Sequence, residues 1–191
     1  MRPGTEAELA EAVATAQGPL AIVGGGTRGV RPETGEVIET GGLSGITLYE
    51  PGALTLVVQA GTAVAEVETA LAAEGQRLAF EPMDHRGLLG TVGAPTTGGV
   101  IAANVSGPRR IQAGAARDFA LGVRFVDGTG TVIRNGGRVM KNVTGYDLVK
   151  LTAGSWGSLG VLTEVALKVL PAPAAQGSVV LTGLSTERAV A

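Results

Sequence analysis

The chain has 191 residues, 45% of them hydrophobic, enough to bury a substantial core in one domain or in one domain and the start of another. A net charge of −2, with 15 Lys and Arg scattered along the sequence, excludes an electrostatic footprint for nucleic acid or for an anionic membrane. The absence of Cys excludes disulfides, thiolate metal sites, iron–sulfur ligation and a cysteine nucleophile in this chain. Glu6, Glu8 and Glu11 stand where a secretory signal would need an apolar core, and no run of about 18 apolar residues occurs, so direct membrane insertion is not expected and the cytoplasm is the expected compartment.

In chain order, Thr5 and Glu8 form a T-x-x-E capping box, and Leu9, Ala12, Val13 and Ala16 share one face, which predicts a helix over 5–17 stopped by Gly18-Pro19. "LAIV" (20–23) reads as a short buried strand and "EVIE" (36–39) as another. "GITLYEPGALTLVVQAG" (45–61) reads as a hairpin of strands 46–50 and 54–59 around Pro-Gly. Residues 62–73 predict a second helix, "RLAF" (77–80) a strand, and Pro82 the start of a long loop. The stretch 90–110 is too apolar for a disordered linker and too glycine-rich for a regular element, with a single apolar turn at 100–103. "FALGVRFVDGTGTVIR" (119–134) alternates around Asp127-Gly128-Thr129-Gly130, a strong hairpin signal. One to two helical turns follow at 145–154, then a long strand at 159–171. "SVVLTG" (178–183) reads as one more strand, and Ser185 as the cap of a helix that the chain does not complete. Strands and helices do not alternate regularly, so the expected class is α+β and not a doubly wound parallel sheet.

Glycine is the compositional outlier at 31 residues, and it clusters between apolar runs. In "AIVGGGTRGV" (21–30), Gly24, Gly26 and Gly29 satisfy the dinucleotide spacing G-x-G-x-x-G. A Rossmann domain also requires an amphipathic helix after the glycines, to hold the pyrophosphate at its N-terminus. Here Pro32 and Gly35 interrupt the segment and no 3.6-residue period survives. The reading is therefore a strand–loop–strand phosphate cradle; taken alone, the triple glycine is equally a tight turn.

Three glycine-rich stretches carry a resemblance: "IVGGGTRG" (22–29), "PTTGGVIAANVSGPRRIQAGAARDFALGVRFVDGTG" (95–130) and "GGRVMKNVTGYDLVKLTAGSWGSLGVLTEVALKVLP" (136–171). Together they resemble the flavin domain of the vanillyl-alcohol oxidase or p-cresol methylhydroxylase (PCMH) type. The Gly-Pro-Arg-Arg, Arg-Asp-Phe and Val-Met-Lys-Asn elements bring them closest to the FAD-binding E subunits of bacterial glycolate oxidases. The resemblance implies an α+β, PCMH-type FAD-binding domain over 1–172, made of two small α+β subdomains (about 1–60 and 61–172) with the flavin between them. Residues 173–191 are then a linker and the truncated start of a cap domain. Carried over by position, the backbone N–H groups of Gly24, Gly25, Gly26, Thr27 and Arg28 hold the diphosphate, where glycine permits close approach and positive φ. Thr96, Gly98 and Gly99 pass near the pyrophosphate and flavin, Ala103 and Ser106 face the ring, and Val161 offers backbone groups. Covalent members bond the flavin through a histidine in the first loop; Gly26-Thr27-Arg28 lacks one, which implies non-covalent FAD.

The resemblance further implies an FAD-dependent oxidoreductase subunit acting on glycolate or another small 2-hydroxy acid, beside a catalytic flavin subunit and an iron–sulfur subunit. Membrane association would come only through those partners. The residues that grip substrate in family oxidases lie beyond the matched segment, so no catalytic residue is named and activity of the chain alone is not expected. The alternative is a scaffold that keeps the fold but binds FAD weakly or not at all by itself.

Other candidates read as structural. His85, the sole histidine, lies in a loop and reads as solvated. Arg109 and Arg110 fit either an anion grip or a structural corner. Arg117-Asp118 reads as an ion pair or hydrogen-bonded corner, Lys141 and Asn142 as a loop-fixing network, and Trp156 as a core plug. No metal-ligand set, paired carboxylate or Ser-His-Asp arrangement is present.

Overall fold

The computed structural model describes residues 1–29, 34–138 and 145–190. Helix α1 (Glu6–Thr15) is capped at Thr5, whose Oγ1 accepts from the Glu8 N–H at 3.2 Å. The Glu8 carboxylate turns outward to accept from Gly4 N at 2.8 Å, so each residue of the capping box satisfies a main-chain donor. Strands β1 (Leu20–Val23) and β2 (Glu36–Glu39) pair in parallel as a separate two-stranded sheet, with the first glycine loop at the C-terminal end of β1.

The main sheet has five antiparallel strands. β3 (Ile46–Glu50) and β4 (Thr55–Gln59) form the Pro-Gly hairpin, and β6 (Ala120–Val126) and β7 (Val132–Gly136) the Asp-Gly hairpin. β8 (Val161–Lys168) runs between them, giving the order β3-β4-β8-β6-β7. Strands 46–59 are thus hydrogen-bonded into the sheet built mainly from 120–168. In the second hairpin, Asp127 Oδ1 accepts from Thr129 N and Thr131 N at 2.8 and 3.0 Å. Gly130 takes φ +83° at its tip, where a Cβ would lie 2.6 Å from Ala14 Cβ, so the turn docks on α1 only as glycine.

The principal core joins β4, β6 and β8 to α2 (Val64–Ala73), α4 (Thr97–Ala102), α6 (Ala116–Phe119) and α7 (Leu148–Thr152). Phe80 is fully buried at its centre, with its ring centroid 5.6 Å from that of Phe119. A second, smaller core sets Leu9 and Val13 of α1 and Ile38 of β2 against Val126 and Val161 at the ends of β6 and β8. A polar tie reinforces it: Glu6 accepts from Thr163 Oγ1 at 2.6 Å and from Arg124 Nε at 3.1 Å. Burial pushes the Glu6 carboxyl up, but the Thr163 hydroxyl and the Arg124 guanidinium outweigh it and hold Glu6 below its ordinary value.

Several expectations are corrected. Only Gln76–Arg77 of the 76–80 region extends, as β5, paired with β9 (Leu170–Pro171); Leu78–Phe80 is a turn driven inward by its own apolar side chains. The loop from Pro82 contains two one-turn helices, α3 (Arg86–Leu89) and α5 (Arg110–Ala113), and α4 replaces the irregular stretch expected around 97–102. Residues 178–183 are exposed and unpaired and do not form a strand, and α8 (Thr186–Val190) follows them. Lys141 and Asn142 lie outside the described residues. Among those described, no helix is long and apolar enough to cross a membrane.

Candidate functional site

The three glycine-rich stretches meet. The loop 24–28 rests closely on the segment 91–96: the Thr91 side-chain hydroxyl donates to Thr27 O at 2.7 Å, and a Cβ on Gly93 would stand 2.3 Å from Gly25 O. Segment 95–98 is stitched to the chain between β4 and α2, with Gly98 N donating to Ala60 O at 2.7 Å and Val64 N, at the start of α2, to Pro95 O at 2.8 Å. The 153–157 turn hangs from α4, with Trp156 N donating to Ala102 O at 2.8 Å and Gly154 N to Ile101 O at 3.1 Å.

Between these segments opens a cleft of about 770 Å³, counting its open mouth. Eight of the eleven predicted binding residues line it: Gly24, Gly25, Gly26, Thr27, Arg28, Gly98, Gly99 and Ala103. Thr96 lies behind the loop, where its Oγ1 accepts from Gly99 N at 3.3 Å and caps α4, and it lines a groove on the loop's other side. Ser106 and Val161 are not in the wall. Ser106 Oγ is engaged by Ala116 N at 2.8 Å and Asn104 O at 3.3 Å, and the Val161 side chain is buried in the smaller core.

The glycines serve different purposes. A Cβ on Gly25 would sit 1.7 Å from the main-chain Ala94 O, and one on Gly24 2.6 Å from the Thr96 side-chain Oγ1, so these two are glycine because the protein's own atoms occupy the space. Gly26 has φ +67° and nothing within 4 Å of an added Cβ, which makes it the residue that presents bare main chain to open space.

Sequence reasoning missed part of the wall: Ile22, Thr40 and Ala60, and the Ser155-Trp156-Gly157 turn with Gly160 and Leu162. The signal for the turn was available in the spacing of Gly154, Gly157 and Gly160, all of which take positive φ in the structure. Trp156 is not a core plug. It is 56% exposed, sits at φ +56° and borders the cleft. Arg109 stands 3.6 Å from Glu81, His85 caps the first turn of α3 through its carbonyl, and Asp118 accepts from Ala115 N at 2.8 Å, a hydrogen-bonded corner with no ion pair to Arg117 among the described residues.

Chemically the cleft is simple. Among the described residues, Arg28 is the one charged residue in its wall, and no cluster of His, Cys, Asp and Glu able to hold a metal exists. Arg28 Nε is buried without a hydrogen-bond partner, and desolvation pushes the guanidinium below its ordinary value. Bare glycine amides and an orphaned cation, beside apolar surface from Ile22, Ala60, Ala102 and Leu162, suit a ligand with an anionic middle and a flat apolar ring.

That combination defines a nucleotide-cofactor domain of α+β type. The chain belongs to the FAD-binding-domain family, whose model matches residues 1–136. It is 44% identical over 159 residues to the glycolate oxidase subunit GlcE of Escherichia coli (strain K12), covering 82% of this chain and 44% of that protein. It is 37% identical over 120 residues to glycolate oxidase subunit GlcD of Bacillus subtilis (strain 168), covering 63% of this chain and 24% of that protein. The chain thus spans less than half the length of these relatives. Its fold is that of a solved alkyldihydroxyacetonephosphate synthase, with a TM-score of 0.73 at 24% identity, covering 92% of this chain and 32% of the other.

Proposed function

We propose that residues 1–172 are the FAD-binding module of a glycolate or other 2-hydroxy acid oxidase subunit, working beside a catalytic flavin subunit and an iron–sulfur subunit. The observation that carries this reading is the 44% identity to GlcE over 82% of this chain, together with the convergence of the glycine-rich stretches on one cleft. The amides of Gly24–Arg28 hold the cofactor's diphosphate, Gly98 and Gly99 let it pass close to α4, and Ala103 and Trp156 border the ring. The grip is non-covalent, because neither histidine nor cysteine occurs in the cleft wall. Bound FAD supplies a two-electron acceptor. The chain's own residues bind and orient it and exclude water on its apolar side. Among the described residues no carboxylate or imidazole lines the cleft, and in this reading the proton from the substrate hydroxyl is taken by a group of a partner subunit.

The test is titration of the purified chain with FAD, alone and with a GlcD-type flavin subunit, followed by glycolate-dependent reduction of a dye. The expected result is FAD uptake by the chain, with turnover only in the mixture. No FAD uptake under either condition overturns the reading, and uptake only in the mixture assigns the chain the scaffold role.

A further inference from the structure

Arg28 enters the reading above through its main chain alone, yet its side chain is the unusual feature of the cleft. The structure offers an internal comparison. The Nε atoms of Arg77 and Arg109 are also buried without hydrogen bonds, but Glu81 compensates both, lying 2.8 Å from Arg77 Nη1 and 3.6 Å from Arg109 Nε. Arg124 is likewise paired with Glu6. Arg28 has no carboxylate within ion-pair distance and no hydrogen bond among the described residues. Its Nη1 stands 3.2 Å from the place a Cβ on Gly99 would occupy, so the guanidinium reaches from the first glycine loop toward α4 along the cleft wall. A desolvated cation left without a counter-charge weakens the folded chain, and here it borders a space open to an anion.

We propose that the Arg28 side chain is itself a binding group: its guanidinium closes on the cofactor's diphosphate from the side opposite the loop amides, and makes the cleft prefer flavins with two phosphates over those with one or none. The inference rests on the FAD reading and adds a charged clamp to it. A planar guanidinium suits this role because it donates two parallel hydrogen bonds to phosphate oxygens.

The experiment titrates the full chain with FAD, FMN and riboflavin at several salt concentrations, comparing wild type, Arg28→Gln and Arg28→Lys, with the melting temperature of each apo-protein. With the clamp, Arg28→Gln weakens FAD by about tenfold or more, leaves riboflavin unchanged, flattens the salt dependence of FAD binding, and melts at or above wild type without ligand. Arg28→Lys recovers part of the FAD affinity and of its salt dependence, because a positive charge remains. Unchanged FAD affinity in Arg28→Gln overturns the clamp. So does an apo-protein that both variants destabilise equally, with FAD lost in proportion, since that describes a structural arginine. If wild type alone binds none of the three flavins, the FAD reading goes to the partner mixture described above, and the clamp is judged on inorganic pyrophosphate. A melting temperature raised by pyrophosphate in wild type but not in Arg28→Gln supports it, and equal behaviour overturns it.

Discussion

Replacing Gly25 and Gly26 by alanine separates a glycine required by packing from one required by conformation and approach. In Gly25→Ala the new methyl would sit 1.7 Å from Ala94 O, and the obstacle is main chain that Thr91 and Pro95 hold in place through hydrogen bonds. Overpacking against a yielding neighbour costs about 1–3 kcal/mol; with a carbonyl that cannot rotate aside, the cost is at least about 3 kcal/mol. For a chain of this size that lowers the melting temperature by roughly 6–12 °C. In Gly26→Ala the methyl meets no atom within 4 Å, and the penalty is that of an L-residue at φ +67°. That is about 1–2 kcal/mol, or a few degrees. For ligand the effect of Gly26→Ala is direct: it sets a methyl in the open space where the cofactor must approach, so FAD affinity falls by about tenfold or more although little stability is lost. Thermal denaturation and FAD titration of the two variants read both effects. A Gly25→Ala protein that melts like wild type would refute the packing argument, and a Gly26→Ala protein with wild-type FAD affinity would refute the close-approach argument.

Trp156 is the chain's sole tryptophan and borders the cleft, so its emission is quenched as FAD binds and recovers when FAD is displaced; emission indifferent to FAD would place the cofactor elsewhere. Glu6 has a folded pKa below its ordinary 4.5, so in the window just under 4.5 the unfolded chain takes up the proton first. Its contribution, about 1 kcal/mol or less for a partly exposed pair, is complete above that window and is lost as pH falls through the folded value. Glu6→Gln therefore melts lower than wild type at neutral pH, and the gap narrows on acidification. A gap that widens in acid contradicts the assignment. Phe80→Ala removes a fully buried ring and costs about 3–5 kcal/mol, read as a lowered denaturation midpoint with little change in FAD affinity per folded molecule.

Local chemistry made much of the fold legible. Thr5 and Glu8 marked the start of α1, Pro51-Gly52 and Asp127-Gly130 marked the two hairpins of the large sheet, and Pro171 marked the end of β9, although the one strand expected over 159–171 is two, β8 ending at Lys168 and β9 pairing with β5. What escaped was decided by distant neighbours. Helix α4 contains Gly98 and Gly99, poor helix formers, yet Gly98 is compelled to be glycine because a Cβ would meet Ala60 Cβ at 2.5 Å. "RLAF" has the composition of a strand, but Leu78, Ala79 and Phe80 all turn into one core, which periodicity cannot distinguish from extension. Residues 178–183 have β-branched side chains and no strand to pair with, so propensity alone does not order them.

The site follows the same division. The first glycine loop and Gly98-Gly99 were readable because glycine in these places answers to main-chain geometry. Ser106 was assigned by position in a motif, and the structure gives its side chain to a loop network; Val161 was assigned for its backbone alone, and its side chain packs in the smaller core while its neighbours Gly160 and Leu162 line the cleft. Trp156 was misplaced because an aromatic residue in sequence carries no sign of whether its turn faces inward. The orphaned Arg28 side chain was invisible for a further reason: the absence of a carboxylate partner is a property of three dimensions.

The central claim is that the loop 24–28 and the turns facing it grip the diphosphate of FAD. A crystal structure of the chain soaked with FAD tests it most directly. The account predicts phosphate oxygens within hydrogen-bond distance of the Gly25, Gly26 and Thr27 main-chain nitrogens, with the isoalloxazine or adenine ring bordered by Ala103 and Trp156. A diphosphate bound in the groove behind the loop, among Arg2, Glu66 and Thr96, with the cleft filled only by water, would contradict it.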